Sequence, residues 1–208
     1  MPKLTLYHAA PSRSSIVHWM LEEVGEPYDI HLVSFKKGEN LKPEYLAVNP
    51  MGKVPAIRHG DALVTEQGAV FLYLADLFQD AGLAPQMGDP LRGPYLRWLF
   101  FYGSSFEPAV VDRALQRAPA SASTLPYGDY DTMLSTLTGQ LARGPFLFGE
   151  RCTAADLLWG TALDWTTRFK IVPELPVLRA YIDRVNARPA VVRAKQKDAE
   201  LAAAQAAS

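Results

Sequence analysis

Residues 49–57 read Asn49-Pro50-Met51-Gly52-Lys53-Val54-Pro55-Ala56-Ile57, and the organisation of the chain can be worked out from this segment. It predicts a turn followed by a strand that begins at Pro55, because proline lacks an N–H and is tolerated in a sheet at a strand start or an edge. The N–H and C=O of Val54 are then left to pair with something other than the protein's own sheet, such as an extended peptide ligand.

The next informative segment is Leu63-Val64-Thr65-Glu66-Gln67-Gly68-Ala69-Val70. It predicts the end of a strand and a helix that starts at Glu66 and Gln67. Helix starts leave N–H groups unpaired and carry partial positive charge, so they bind carboxylates well. The two segments together predict a site for peptide backbone beside a site for a carboxylate, which suits a small acidic peptide. The alternative is an ordinary hairpin turn before an amphipathic helix.

Read as N-P-x-G-K-V-P followed by T-E-[SQ]-x-A, the two segments resemble the glutathione transferase family, and the resemblance extends along the whole chain. The resemblance implies a bacterial-type member of the serine class, similar to theta-like members, with glutathione as co-substrate. It implies that Pro55 is cis, which sequence alone makes only possible, since roughly 5–6% of X–Pro bonds in folded proteins are cis. It also implies conjugation of glutathione to an electrophile, as in detoxification.

The composition is that of a globular protein with a core. Of the 208 residues 49% are apolar and 21% are charged, and the formal net charge is −1. No polybasic footprint for nucleic acid or an anionic membrane is present. The single cysteine, Cys152, fits a reducing compartment. No apolar run approaches the roughly 18 residues that span a bilayer, so we expect a cytoplasmic protein without nucleic-acid or membrane partners.

The order of predicted elements is β-α-β, a loop, and then β-β-α, which is typical of a thioredoxin-like α/β domain with helices on a mixed sheet. We place this domain at residues 1–80, a Gly/Pro-rich linker at 81–89 and an all-helical bundle domain at 90–208. The aromatic-rich helix 95–106 must be buried on most sides, so it is expected to contact either the first domain or a second subunit, and we expect a homodimer. The Ala-rich tail after Glu200 is expected to fray.

Thr153 and Asp156 have the spacing of a capping box at the start of a helix. The same capped helix is shared with the C-terminal domain of glutathione transferases. We interpret the pair as a structural cap rather than as catalytic groups.

The chemistry required of a glutathione enzyme is the conversion of a thiol, with a pKa near 8.5, into a thiolate. A hydrogen bond to sulfur and a nearby helix N-terminus both lower that pKa. The loop after the first strand offers Ser12, Ser14 and Ser15, and the resemblance points to Ser12 as the catalytic hydroxyl, with Ser14 second. The alternative is that these serines cap the first helix. Tyr7, at the end of the first strand, is a further candidate.

The resemblance also implies which residues hold glutathione. Lys53 would reach the glycine end, Val54 beside Pro55 would pair with the cysteinyl backbone, and Glu66 and Gln67 would hold the γ-glutamyl end. Many relatives have Ser where this chain has Gln67, whose amide can still donate to a carboxylate. Further candidates near the sulfur or the glycine carboxylate are Arg13, Asn40 and Lys36.

The second substrate, a small apolar electrophile, is expected between the domains, where pockets concentrate. Candidate wall residues are Phe101, Tyr102, Phe106, Arg113 and Trp165, and core packing or a dimer contact is the alternative for each. The histidines show no metal-ligand spacing, so no metal is expected. Other possible functions on the same fold are glutathione-dependent isomerisation, dehalogenation or disulfide reduction, and ligand binding without turnover.

Overall fold

The computed structural model describes residues 2–118 and 120–207. Backbone contacts divide the chain into two units. Unit 1 contains the residues up to Ala81 together with the segment from Arg188 onward, and unit 2 contains Gly82–Ala187. In chain order the elements are β1 (Leu4–His8), α1 (Ser14–Val24), β2 (Asp29–Leu32), α2 (Pro43–Leu46), β3 (Ala56–His59), β4 (Ala62–Thr65), α3 (Gln67–Leu77), α4 (Arg92–Phe101), α5 (Glu107–Ala114), α6 (Tyr130–Leu141), α7 (Ala154–Arg168), α8 (Pro176–Asn186) and α9 (Pro189–Ala207).

The sheet of unit 1 has the order β2-β1-β3-β4. The pair β1–β2 is parallel, and the pairs β1–β3 and β3–β4 are antiparallel. This mixed sheet, with α1 connecting the two parallel strands, is the thioredoxin-like α/β fold, so the predicted fold class is confirmed. Leu6 and Ile57, opposite each other in the register of β1 and β3, are both fully buried.

Helix α1 follows from a stripe of apolar side chains. Ile16 and Met20, four residues apart, are both buried. Gly25 ends the helix in the left-handed conformation, with φ 78°, and its N–H donates to the carbonyl of Leu21. Glycine adopts that conformation without a steric cost, which explains why the helix ends there.

The end of the chain differs from expectation. Helix α9 continues to Ala207 and packs along α1, but none of residues 201–205 is buried, so fraying after Glu200 stays a prediction. Ala194 on α9 is fully buried, and Arg188, just before α9, pairs with Glu23 of α1 at 2.6 and 2.8 Å. Backbone contacts group this segment with unit 1, whereas the sequence placed it in the helical domain of residues 90–208.

Unit 2 is helical, as predicted for the part of the chain after the sheet domain. Between α4 and α5 the backbone forms a π-helical turn, Tyr102–Phe106. The core is aromatic: Trp98 and Trp159 are almost fully buried, their rings meet edge to face at 5.7 Å, and Trp159 Nε1 donates to the carbonyl of Trp98 at 3.0 Å. Across the described residues, no helix combines the length and apolar character needed to cross a membrane.

Candidate functional site

The loop between β1 and α1 carries the predicted catalytic serines. Ser14 is fully buried, and its Oγ lies 2.7 Å from His8 Nδ1 and 2.7 Å from Ser12 Oγ. The same oxygen accepts the N–H of Ala9 at 3.1 Å. Ser14 Oγ also lies 3.3 Å from the carbonyl oxygen of Ala9, to which it can donate, so its one proton and two lone pairs all have protein partners within reach.

Ser12 is placed differently. It is only partly buried, and its Oγ accepts the N–H of Ser14 at 3.1 Å in addition to contacting Ser14 Oγ. Its carbonyl accepts the N–H of Ser15 at 3.1 Å. The N-cap residue of α1 is Arg13, which makes no side-chain cap hydrogen bond, so Ser12 lies just before the helix and its hydroxyl is near the positive end of α1.

Behind Ser14 the structure brings together three residues that are far apart in sequence. His8 Nε2 lies 3.2 Å from Asp198 Oδ1, and His18 Nδ1 makes a short hydrogen bond to the same oxygen. His8 and His18 are both fully buried. Burial by itself would raise the pKa of Asp198, but hydrogen bonds from His18, His8 and Ser15 lower it to about 2. We therefore assign a charged carboxylate to Asp198 at neutral pH.

This cluster also has the atom types of a metal site. One donor atom from each of His8, His18 and Asp198 lies within 4.8 Å of the others. However, Asp198 Oδ1 and His18 Nδ1 share a direct hydrogen bond, so these two atoms already pair with each other. We treat the cluster as hydrogen-bonded. Sequence spacing missed it, because Asp198 lies 180 residues from His18 and no local spacing connects the two.

The turn before β3 has the features predicted for peptide binding. The Val54–Pro55 peptide bond is cis. Within the described part of the chain, the backbone N–H and C=O of Val54 have no hydrogen-bond partner. The preceding carbonyl, of Lys53, accepts hydrogen bonds from Tyr45 Oη at 2.6 Å and from Asn49 Nδ2 at 2.8 Å, so the turn is held from the protein side.

The same turn is connected to the serine loop by packing. Val54 and Ala9 belong to one buried apolar cluster, together with Tyr45 and Ala56. Tyr7 packs against this cluster, with its ring 5.9 Å from that of Tyr45. The predicted backbone site and the predicted sulfur site are therefore both packed against the same buried apolar cluster.

The start of α3 carries Glu66 and Gln67. Glu66 precedes the helix with φ 63° and ψ 121°, a conformation that is costly for a residue with a side chain and is often found at binding sites. Gln67 Nε2 donates to the carbonyl of Arg13 at 3.1 Å. This bond joins the predicted carboxylate site to the serine loop.

The remaining predicted glutathione ligands are less specific in position. The side chains of Lys53, Arg13 and Lys36 are exposed. Asn40 is partly buried, and its Nδ2 donates to the carbonyl of Gly52 at 3.0 Å, so it braces the turn that contains Lys53. A contact of any of these side chains with glutathione stays a prediction.

The five predicted wall residues of the electrophile pocket lie in unit 2 and fall into three groups by burial. Tyr102 and Phe106 are buried, stack at 5.9 Å and meet Trp159 edge to face, which is the core packing considered as the alternative. Phe101 is partly buried and its ring lies 5.2 Å from that of Trp98. Two are exposed: Arg113, which stacks on Tyr130 at 4.2 Å, and Trp165, which lies 4.9 Å from Phe169.

The capping box of α7 is present. Asp156 is fully buried and accepts the N–H of Thr153 at 2.8 Å, the N–H of Leu147 at 2.8 Å and the hydroxyl of Tyr181 at 2.9 Å. Burial raises the pKa of the Asp156 carboxyl, and these hydrogen bonds act in the opposite direction. Asp156 is occupied by structural partners, in line with its interpretation as a cap.

Comparison with known proteins agrees with this geometry. Residues 2–76 match the model of the glutathione S-transferase N-terminal domain, and residues 128–189 match that of the C-terminal domain. The chain is 27% identical to the Escherichia coli (strain K12) protein named disulfide-bond oxidoreductase YfcG, over 93% of this chain and 95% of that protein.

Two solved structures are similar over nearly the full length. A glutathione transferase from Methylococcus capsulatus is 30% identical, with a TM-score of 0.80 over 94% of this chain and 98% of that one. A sphingomonad glutathione S-transferase complexed with glutathione is 29% identical, with a TM-score of 0.74 over 94% of this chain and 98% of that one.

Proposed function

The chain belongs to the glutathione S-transferase family, and on this premise we propose that it is a serine-class transferase that activates the thiol of glutathione through Ser12. In this proposal the thiolate attacks a small apolar electrophile. The subclass is proposed to be bacterial-type and theta-like.

The observation that supports Ser12 is the difference between the two neighbouring serines. Ser14 is fully buried and has protein partners around its hydroxyl, whereas Ser12 is partly exposed. A donor to an incoming sulfur needs both exposure and a proton that is not committed elsewhere. Ser12 meets the first condition. It meets the second where Ser14 is the donor in the 2.7 Å contact between the two hydroxyls, because the proton of Ser12 is then available to sulfur.

The proposed chemistry is a stabilisation of the thiolate relative to the thiol. Ser12 O–H donates to sulfur, and the N-terminus of α1 places positive potential beside it. Lowering the thiol pKa by one unit corresponds to about 1.4 kcal/mol of preference for the thiolate. The proton of the thiol leaves to solvent, and the thiolate sulfur forms a bond to carbon of the electrophile, which then takes up a proton in an addition or releases its leaving group in a substitution.

Glutathione itself is proposed to lie along the turn and the α3 start. The unpaired backbone of Val54 would pair with the cysteinyl backbone, and Glu66 and Gln67 would hold the γ-glutamyl end. Lys53, with Arg13 and Asn40, is assigned to the glycine end. The sphingomonad relative, described as complexed with glutathione, supports this ligand.

The test is the thiolate absorbance of bound glutathione as a function of pH, for wild type and Ser12→Ala. We expect the wild type to hold the thiol pKa below its free value of about 8.5 and Ser12→Ala to return it toward that value. Ser135→Ala, at an exposed serine of α6, is the matched control and should behave as wild type. A low thiol pKa that survives in Ser12→Ala would transfer the role to another group, such as Tyr7.

A second candidate function is glutathione-dependent disulfide reduction, which is favoured by the name of the Escherichia coli relative. The sequence contains one cysteine, Cys152, and it is buried, so reduction would proceed through glutathione thiols rather than through a cysteine pair of this chain. Incubation with glutathione and 1-chloro-2,4-dinitrobenzene, or with a small organic disulfide, separates the two functions. A glutathionylated product supports conjugation, and oxidised glutathione supports reduction.

The remaining assignments are proposals that rest on sequence. We propose a cytoplasmic homodimer with a glutathione domain at 1–80, a linker at 81–89 and a helical domain at 90–208. For the electrophile we propose contacts with Trp165 and Arg113, since both are exposed, in preference to the buried Tyr102 and Phe106. Gel filtration that gave a strict monomer would contradict the dimer.

A further inference from the structure

The side chain of Gln67 connects the first residue of α3 to the loop that carries Ser12. Gln67 Nε2 donates to the carbonyl oxygen of Arg13 at 3.1 Å, across 54 residues of sequence. Arg13 is the N-cap residue of α1, and Ser12 is its neighbour in the chain. Both ends of this hydrogen bond lie in unit 1. The bond therefore ties the loop after β1 to a second element of the same unit.

The carbonyl that Gln67 holds belongs to the peptide group that contacts the Ser12 hydroxyl. The C=O of Arg13 and the N–H of Ser14 are parts of one planar trans peptide group, so they point to opposite sides. On one side the carbonyl accepts the Gln67 amide at 3.1 Å, and on the other side the N–H donates to Ser12 Oγ at 3.1 Å. Because the group is rigid, a rotation that releases the first bond also turns the N–H away from Ser12 Oγ.

Helix α3 gives the Gln67 amide a fixed base. Val70 and Phe71, near the start of α3, are fully buried, and α3 packs against α1. Arg13, in contrast, is exposed, and the contacts of Ser12 with Ser14 described above stay within two residues of chain. A hydrogen bond from a buried second helix restrains the loop against motions that such local contacts permit.

The bond to Arg13 gives the Gln67 side chain a role that differs from the one predicted from the sequence. An amide that donates to the γ-glutamyl carboxylate contributes to the affinity for glutathione. An amide that stays on the Arg13 carbonyl contributes to ionisation of the thiol, because a hydrogen bond to sulfur depends on where Ser12 Oγ is held. The start of α3 can bind the carboxylate through backbone N–H groups in either case.

We propose that Gln67 is a positioning residue, which holds the Arg13–Ser14 peptide group and thereby keeps Ser12 Oγ in place for the glutathione sulfur. The proposal rests on the proposed function, since it concerns the same thiol. It gives the start of α3 a part in thiol activation in addition to its predicted part in binding.

The experiment compares Gln67→Met with Gln140→Met. Methionine is similar in length and uncharged, so Gln67→Met removes the amide without placing a new charge near the sulfur. Gln140 is the matched control, because its Nε2 also donates to a backbone carbonyl, that of Leu147 at 2.6 Å, but in unit 2. Two quantities are measured for each variant. One is the thiol pKa of saturating bound glutathione, from thiolate absorbance. The other is the Kd of S-methylglutathione, which keeps both carboxylates of glutathione but has no thiol.

We expect Gln67→Met to raise the thiol pKa by about half a unit, which lowers the thiolate fraction below that pKa about threefold. The rise should be smaller than in Ser12→Ala, because the hydroxyl is displaced rather than removed. The Kd of S-methylglutathione should change less than about twofold, and Gln140→Met should leave both quantities at the wild-type values. Weaker binding of S-methylglutathione at an unchanged thiol pKa is the pattern of a carboxylate ligand and would overturn the proposal.

A double-mutant cycle tests whether Gln67 acts through Ser12. In the Ser12→Ala background, Gln67→Met should leave the thiol pKa unchanged, because the hydroxyl that Gln67 positions is no longer present. An equal rise in both backgrounds would contradict the proposal, since Gln67 would then act on the sulfur independently of Ser12. Thermal melting of each variant reports whether the change in thiol pKa occurs in folded protein.

A failure of this proposal differs from a failure of the proposed function. If wild-type protein binds glutathione without lowering its thiol pKa, transferase activation itself is wrong. If wild type lowers the thiol pKa and Ser12→Ala abolishes the effect, but Gln67→Met does not change it, only the positioning role of Gln67 is wrong.

Discussion

The packing of α7 against α8 predicts that Gly160→Ala destabilises the protein. The same substitution at an unhindered glycine should stabilise it and serves as a matched control. A methyl group on Gly160 of α7 would lie 2.6 Å from Cβ and Cγ1 of Val185 and 2.7 Å from its Cγ2. Ordinary carbon contacts in proteins are near 3.5–4.0 Å. Gly160→Ala therefore requires the two helices to separate by about 1 Å at this point.

The expected cost combines two opposing terms. Overpacking of a tight core costs about 1–3 kcal/mol. Alanine in place of glycine within a helix returns about 0.5–1 kcal/mol. Because Val185 is fully buried and meets Gly160 through its rigid branched carbon, we expect a net loss of about 1–2 kcal/mol in the free energy of unfolding.

Gly139 of α6 provides the control, since a methyl group there would have no heavy atom within 4 Å. Gly139→Ala should stabilise the protein by about 0.5–1 kcal/mol. Urea unfolding followed by tryptophan fluorescence measures both variants, and Trp98 and Trp159 report on the unit that contains the two glycines. If Gly160→Ala is as stable as Gly139→Ala, the close approach of α7 and α8 is incorrect.

Two further predictions concern the carboxylates of Asp156 and Asp198. Asp156→Ala leaves the N–H groups of Leu147 and Thr153 without an acceptor, and we expect it to lower the free energy of unfolding by about 3–4 kcal/mol in urea titrations. Asp129→Ala, which removes an exposed cap from α6, should cost clearly less, and equal losses would contradict the role of burial. For Asp198, the pKa of about 2 in the folded protein lies below the usual 3.8. The carboxylate therefore adds about 2 kcal/mol to the free energy of unfolding above pH 4, and this contribution is lost as the pH falls through 2. At pH 5 the free energy of unfolding should be higher for wild type than for Asp198→Ala, and at pH 2 this difference should nearly disappear. A difference that is the same at both pH values would refute this reasoning.

Local sequence signals predicted the elements that depend on neighbouring residues. The alternation in β1, the apolar stripe of α1 and its stop at Gly25 were readable because side-chain periodicity and glycine conformation act over a few residues. The Thr153–Asp156 spacing likewise predicted the capping box. The Val54–Pro55 bond was expected to be cis only through the family resemblance, and the structure has it cis.

The sequence placed α9 in the helical domain, whereas backbone contacts group it with unit 1, because its partners are distant in the chain. Helix α9 is rich in alanine and carries no clear apolar stripe, so a local reading does not indicate what it packs against. In the folded chain Asp198 meets His8 and His18, about 180 residues earlier, and Lys197 pairs with Glu22 at 2.6 Å. Such contacts leave no periodic trace in sequence.

The sequence by itself determined the fold class and the family, because these depend on short patterns of apolar, glycine and proline residues. It left Ser12 and Ser14 as neighbouring alternatives. The tertiary structure separated them, since burial and hydrogen-bond partners belong to the packed chain: Ser14 is enclosed against His8, while Ser12 retains exposure. The contact of Asp198 with His8 was likewise decided only by packing, which brings the last helix against α1, next to the loop that follows β1.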